Sequence, residues 1–455
     1  MLPSRETARS LLFYFVGNCF LGILIRFAPI FLFIVIFVGG GVHFSCLGRK
    51  NAFSLLSPIT AIIPSVILAW FMNRKQQHRK MSDFLKGIGH EDIICMCIIF
   101  LLAGAFGEVT KNIGSVDSMI NFALSFIPAK FLLIGIFCIS ALLATAIGSA
   151  IGTIAAVGPI AAELVLHAQG LPVAISMGAV VGGAMFGDNL SIVSDTTIAA
   201  ISSQGADLQK KLWLNVQFAL IAGIITIAFL WNAATVSSIV KSSDYSLILI
   251  LPYIILLILA LNRVHVFTCL VVGITVAAAI GCTLTANYNI ISLSNSINIG
   301  FRSVSDIMLL SMLIGGLSGL IGNDAIKDMT HAISVWIIKK NKLPKLPQFI
   351  IAGVASIFTI LLANNVIAII LSGKIAKGIA KNHGISPHYS ATLLDIFACA
   401  VKGLLPYGAQ VLLAASIAEI SPLSIVPHVH YCYVMLAVGV VFVMLKKNED
   451  ERKNL

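Results

Sequence analysis

Charge is what this sequence has least of. Asp, Glu, Lys and Arg make up 11% of its 455 residues, against roughly 25% in an ordinary soluble domain. With 58% hydrophobic residues and a mean hydropathy of +0.99, too few polar side chains remain to cover a water-soluble globule. That excludes a conventional soluble enzyme and makes lipid the solvent for most of the chain. Short segments alternating apolar and polar residues are also lacking, which excludes a β-barrel; the apolar runs are long and continuous, as in 27–48, 246–261 and 346–373. No CxxC pair occurs among the nine cysteines, so they read as small core residues, with Cys95 and Cys97 on different faces of one helix. The apolar stretch Leu11 to Ile25, behind Arg5 and Arg9, lacks a small-x-small cleavage pattern and reads as a retained, short or interfacial first segment.

What is present is helix-length apolar sequence, enough for about 10–13 transmembrane segments at about 20 residues each. The expected fold is an all-α polytopic membrane protein. Its net charge of +11, from 30 Lys and Arg against 19 Asp and Glu, would suggest a nucleic-acid partner in a soluble domain. Here the basic residues cluster between apolar runs, at Arg74, Lys75, Arg79, Lys80 and Lys86 and again at Lys339, Lys340, Lys342 and Lys345. That is the pattern of cytoplasmic loops in a lipid bilayer, with no nucleic acid involved.

Two stretches resemble each other, Asp92 to Thr197 and Asp306 to Leu413. Each opens with an acidic residue and an apolar helix carrying a GxxG pair (Gly104/Gly107; Gly316/Gly319). An interrupted segment follows (Gly152 to Glu163; Asn364 to Lys377), then a polar connection with proline (Leu171–Pro172; Ser386–Pro387) and a helix interrupted by glycine (Gly187; Gly403). The basic cluster precedes the first copy but follows the first helix of the second, so the copies are expected to cross the membrane in opposite senses. An inverted-topology repeat with discontinuous helices results, the plan of secondary transporters, whose substrates bind near the midplane where helices break. The plainer alternative is chance resemblance among apolar helices. The expected division is 1–86, N-terminal helices and a basic cytoplasmic loop; 87–232, first repeat; 233–303, connecting helices; 304–420, second repeat; and 421–455, last span and charged tail.

An ionised Asp at the centre of a membrane helix costs roughly 2.5–3.5 kcal/mol on insertion scales. Such residues need a reason. Between Met177 and Ala200 stand Asp188, Asn189, Ser191, Ser194, Asp195, Thr196 and Thr197, seven oxygen-bearing side chains within ten residues, with no Lys or Arg between Val173 and Ile201. On one continuous helix, Asp188, Ser191 and Asp195 would share a face; Gly182, Gly183 and Gly187 permit close helix approach or unwinding. Oxygen ligands with one or two carboxylates suit a hard cation such as Na⁺ rather than zinc or copper. The alternative for any one of these residues is a helix cap.

In the second copy, Asn364 and Asn365 lie in the interrupted segment, and Asp395, Lys402, Tyr407 and Gln410 in the helix after it. Lys402, seven residues from Asp395, is expected either to pair with it or to snorkel; the sharper alternative is that its ammonium meets Asp188 or Asp195 until Na⁺ displaces it. The first interrupted segment offers Thr145, Ser149 and Thr153 among Gly148, Gly152, Gly158 and Pro159, and a break is expected near Gly158–Pro159 unless the small residues serve packing. Glu108 and Asp324 fall at span ends. Glu163 could face a cavity or cap a helix. His167, His383 and His388 fall in short loops, and His428 and His430 open the last span, where a pH-sensing role is the alternative to a structural one.

The string from Phe186 to Thr197 (FGDNLSIVSDTT) resembles the signature segment of NhaC-type sodium/proton antiporters, G-D-K/N-L-S-x-x-S-D-T-T, and Gly152–Pro159 (GTIAAVGP) and Gly403–Gly408 (GLLPYG) are similar to that family too. The likeness spans roughly residues 90–420. It implies a multi-pass protein of the bacterial inner membrane that exchanges outward Na⁺ for inward H⁺, contributes to pH homeostasis and needs no cofactor. Its ion site would include Asp188, Asn189, Ser191, Ser194, Asp195, Thr196 and Thr197. Many family members carry Lys where this chain has Asn189.

The residues themselves extend that candidate site to Thr153, Asn364, Asn365, Asp395, Lys402 and Gln410. Asp188 and Asp195 are the expected Na⁺ ligands. A homodimer is compatible with the sequence. The alternative within transport is a Na⁺- or H⁺-coupled exchanger or symporter of a small organic acid or amino acid. A carboxylate cargo would favour an intramembrane Arg, and the central spans have none, Arg263 and Arg302 lying at span edges. No nucleophile–His–acid set, phosphate-binding loop or metal motif points to an enzyme.

Overall fold

A computed structural model of the chain describes residues 25–47, 57–73, 75–126, 128–169, 171–233, 238–239, 245–262, 264–285, 288–339 and 345–445. Nearly the whole of the segment 11–25, as well as Arg5, Arg9, Arg74, Arg263, Lys340 and Lys342, lie outside them, as do the side chains of His167, Asp324 and Lys339.

The described residues are helical apart from connecting turns and a two-residue antiparallel bridge that sets Ala168 against Ile239 and Gln169 against Ser238. Its chain order begins with α1 (Ala28–Cys46), α2 (Pro58–Met72), α3 (Gln77–Ile88), α4 (Glu91–Asn112), α5 (Ser115–Phe126), α6 (Leu132–Ile147) and α7 (Ala150–His167). It continues with α8 (Val173–Leu190), α9 (Asp195–Gln204), α10 (Leu208–Ala233), α11 (Leu247–Leu261), α12 (Val266–Leu284) and α13 (Ile290–Lys339), the last kinked at Gly322. The remainder is α14 (Leu346–Leu362), α15 (Asn365–Asn382), α16 (Pro387–Lys402), α17 (Ala409–Ile417), α18 (Pro422–Ile425) and α19 (His430–Leu445).

Most of these helices are apolar on every side, as lipid-immersed helices are. Outward-facing Val35, Phe71, Trp213 and Ile224 are exposed, while Phe100, Phe106, Phe218 and Phe358 are buried between helices. The exception is α3, which has no buried residue and carries Arg79, Lys80 and Lys86. The basic segment expected as a loop is thus partly an amphipathic helix.

The count of membrane-length helices is lower than the apolar runs suggest. Among the described residues, five are long and apolar enough to cross a membrane, or six if Ala409–Ile417 and Pro422–His428, bent by 101°, form one span. Seven more apolar helices have only 10–17 residues. The shortfall comes from breaks that divide apolar runs into short helices, as between α6 and α7 and between α14 and α15. The cysteines also differ from expectation: Cys97, Cys269, Cys399 and Cys432 are buried, whereas Cys46, Cys95, Cys138 and Cys282 are exposed.

Two breaks share a form. α6 ends at Gly148 (φ 74°, ψ 21°) and α14 at Ala363 (φ 50°, ψ 18°), both left-handed, and a new helix starts two residues later in each case. Two further helices stop inside apolar sequence, α8 at Leu190 before α9, and α16 at Lys402 before α17. The first interruption differs from expectation: α7 runs unbroken through Gly158 and Pro159, and the chain turns ahead of it at Gly148–Ser149. α6 and α8 pack at backbone distance, because a Cβ on Gly187 would stand 2.2 Å from the Ala141 carbonyl oxygen.

A candidate ion site between broken helices

The polar string does not form one helical face. α8 ends at Leu190, Ser191 to Ser194 are extended or bent, and Asp195 opens α9. Asp188 and Asp195 therefore belong to different helices, on either side of a break that frees the last carbonyls of α8 and the first amides of α9.

Both carboxylates line one cavity of about 120 Å³. From the first half it is bordered by Asp92, Gly148, Ser149, Asp188, Ser194, Asp195 and Thr196, and from the second by Asn364, Asn365, Lys402 and Gln410. Asp188 is buried and accepts a 2.8 Å hydrogen bond from Ser194 Oγ, which lies 2.9 Å from Thr196 Oγ1. Asp195 is exposed rather than deep. Gly148 closes the cavity against the break: a Cβ there would stand 3.0 Å from the Val193 carbonyl carbon and 3.1 Å from Ser194 N.

The second half contributes through the start of α15. Asn364 caps that helix, its Oδ1 accepting from Ile367 N at 3.1 Å while its Nδ2 donates to Asp92 Oδ2 at 3.2 Å. Lys402 Nζ donates to Asn365 Oδ1 at 2.9 Å, and Asn365 Nδ2 donates to Cys399 Sγ at 3.4 Å. The expected Lys402–Asp395 pair is absent; residues seven apart share a face, but Asn365 from the neighbouring helix reaches the ammonium instead. Gln410 Oε1 is buried with no hydrogen-bond partner among the described residues.

Other candidates lie elsewhere. Asp395 pairs with Lys211 of α10, both completely buried, so a cation does stand beside the polar string. Thr197 accepts from Lys211 Nζ at 2.7 Å, and Asn189 Nδ2 donates to Tyr431 OH at 3.1 Å. Ser191 Oγ accepts from Val193 N at 3.3 Å within the break, and Thr153 Oγ1 donates back to the Ser149 carbonyl at 3.1 Å. Tyr407 OH donates to the Ile360 carbonyl at 2.8 Å, and the ring borders a larger cavity of about 520 Å³ that Met96 and Asn364 share with the small one. Glu163 lies 3.7 Å from Lys111. Arg302 falls within α13 on an exposed face, not at a span edge.

Sequence reasoning missed Asp92 as a cavity residue, and Lys211 and Asn215 behind the break. Asp92 was visible only as the acidic start of a repeat. Lys211 follows Asp207 and Lys210 at the head of an apolar helix, where a charge ordinarily reads as interfacial. The signal was there in Asn215 four residues on, which puts a second polar group on the same helical face.

The Na⁺/H⁺ antiporter family profile matches residues 71–234, the stretch that holds α8, the break, α9 and Lys211. The chain is 22% identical to the Na⁺/H⁺ antiporter NhaC of Bacillus subtilis (strain 168), over 86% of this chain and 91% of that protein. It is 28% identical to the Na⁺/H⁺ antiporter NhaC of Alkalihalophilus pseudofirmus, over 57% and 56%. Against the malate-2H⁺/Na⁺-lactate antiporter of Bacillus subtilis the identity is 21%, over 72% and 76%. All three are antiporters, not enzymes. By profile over residues 71–234 and by relatives at 21–28% identity alike, this multi-pass membrane protein is similar to Na⁺/H⁺ antiporters of the NhaC type.

Proposed function

We propose that the protein is a secondary active transporter that exchanges Na⁺ outward for H⁺ inward across the bacterial inner membrane by alternating access. The observation that carries this reading is the cavity where broken helices from both halves meet, bordered by Asp188, Asp195, three hydroxyls, two asparagines and Gln410, whose Oε1 has no partner among the described residues. These are hard oxygen donors suited to Na⁺. A carboxylate withdrawn from water is costly unless something neutralises it, and either Na⁺ or H⁺ does so at buried Asp188, with the exposed Asp195 on the same cavity as a further oxygen donor. Competition for the same oxygens then couples the two gradients. Lys402, held by Asn365 on the cavity wall, supplies a tethered positive charge that Na⁺ must displace or tolerate. The matched breaks at Gly148 and Ala363 favour two halves of opposite orientation that rock about this site.

A second reading has one observation in its favour. An ammonium and three carboxylates on one small cavity also suit a zwitterion or small organic acid carried with Na⁺ or H⁺. Everted membrane vesicles distinguish the two. A preset pH gradient is challenged first with Na⁺, Li⁺ or K⁺ salts and then with organic acids and amino acids. Dissipation by cations alone supports the antiporter; dissipation that requires the organic solute selects the second reading.

A further inference from the structure

The break in the first half has two ends, and a single helix holds both. At the end of α8, the Asn189 carbonyl is one of those a terminating helix leaves unpaired, and Asn215 Nδ2 donates to it at 2.9 Å. In the first turn of α9, Thr197 Oγ1 accepts from Lys211 Nζ at 2.7 Å. Lys211 and Asn215 are four residues apart on α10 and share a face. Both then reach the same carboxylate. Lys211 Nζ forms an ion pair with Asp395 Oδ2, and Asn215 Nδ2 donates to that oxygen at 2.9 Å. The other Asp395 oxygen accepts from Cys399 Sγ at 3.4 Å. Lys211, Asn215 and Asp395 are fully buried, and none of them borders the ion cavity.

One acid on α16, in the second half, thus anchors two side chains that grip opposite ends of a break in the first. A buried ion pair is a poor way to gain stability, because desolvation consumes most of the attraction, but it fixes geometry where its partners must not slide. What this one fixes is the relation between the ends of the Ser191–Ser194 segment, and hence between Asp188 and Asp195.

We propose that Lys211, Asn215 and Asp395 are positioning residues that hold this break in its cation-binding shape. The inference rests on the proposed Na⁺ site and moves Asp395 from cation ligand to support. The test uses full-length protein in proteoliposomes, with Na⁺ KM, Vmax and thermal midpoint measured together. Two variants release one end of the break each without stranding a buried charge: Asn215→Ala at the end of α8, and Lys211→Met combined with Asp395→Leu at the start of α9. Each is expected to keep its midpoint within a few degrees and its Vmax within about twofold, while Na⁺ KM rises about tenfold or more, as when support behind metal ligands is lost. An unchanged KM in a folded variant overturns the proposal, leaving only a structural staple, and so does failure of both variants to fold. Absence of saturable Na⁺ dependence in the unaltered protein would instead overturn the Na⁺ site itself.

Discussion

At the scale of single residues, the two aspartates are not equivalent, and their difference is testable. Asp188 is buried and hydrogen-bonded by Ser194, whereas Asp195 opens α9 and is exposed. Asn is nearly isosteric with Asp but cannot exchange a proton or offer a full charge to Na⁺. Asp188→Asn should therefore cut Na⁺-dependent proton movement in everted vesicles by about a hundredfold or more, and Asp195→Asn by about tenfold, since losing groups that merely support metal ligands already costs about 10–100-fold. Near-normal exchange in both would remove the pair from the mechanism. Lys402 adds a second expectation. If its ammonium opposes Na⁺ across the cavity, Lys402→Met should tighten Na⁺ binding, measured by calorimetry, by about tenfold, equivalent to ~1.4 kcal/mol. Unchanged affinity would leave Lys402 with no part beyond its bond to Asn365. Which residues were legible beforehand follows from local density. Seven oxygen-bearing side chains in an apolar run stand out without a structure, whereas Lys211 is marked in the sequence by Asn215 alone and finds its partner in Asp395, 184 residues away.

At the scale of elements, the site depends on where helices stop. Pro159 was the obvious breaker in the sequence, yet α7 runs through it. Proline removes one backbone donor and distorts a helix, but it does not require the chain to leave the helix when neighbouring helices support the turn. The actual turn uses Gly148 in the left-handed region, with its Cα against the Ser191–Ser194 segment. Sequence could not single it out among so many glycines, because its role comes from that contact. Gly148→Ala should cost about 1–2 kcal/mol from the left-handed backbone alone. Its Cβ would also push against Val193 and Ser194. The expected result is a thermal midpoint lower by several degrees and a weakened Na⁺ response, checked in detergent-purified protein and in vesicles. Ala363 makes the converse case: it holds the equivalent left-handed place at φ 50° with a side chain. Ala363→Gly should leave the midpoint unchanged or raised by up to about 1 kcal/mol equivalent, since strain relief there opposes the entropy that glycine adds to the unfolded chain. A midpoint falling as far as that of Gly148→Ala would show that the alanine methyl, and not the backbone, matters at this turn.

At the scale of the whole molecule, the two halves meet at one small cavity, and its occupancy should register in global stability. A ligand that binds only the folded state stabilises it by RT ln(1 + [L]/Kd), about 2.7 kcal/mol at a hundred times Kd. Na⁺ should therefore raise the thermal midpoint relative to choline at equal ionic strength, with the halves held together through Asp188 and Asp195 on one side and Asn365 and Gln410 on the other. Competition fixes the sign of the pH effect. Binding Na⁺ where a proton otherwise sits releases that proton, so the stabilisation should be large in alkaline buffer and shrink as the medium is acidified. The apparent Kd should rise by up to about tenfold per pH unit for each proton displaced. Asp188→Asn should abolish the Na⁺-dependent increment at every pH, since under the proposed mechanism it removes the group for which the two ions compete. A Na⁺ shift of equal size in acid and alkali, with transport still coupled to protons, would mean that the proton is carried at a site separate from the sodium ion. The buried carboxylate of Asp395, with its lysine partner, would then be the first place to look for it.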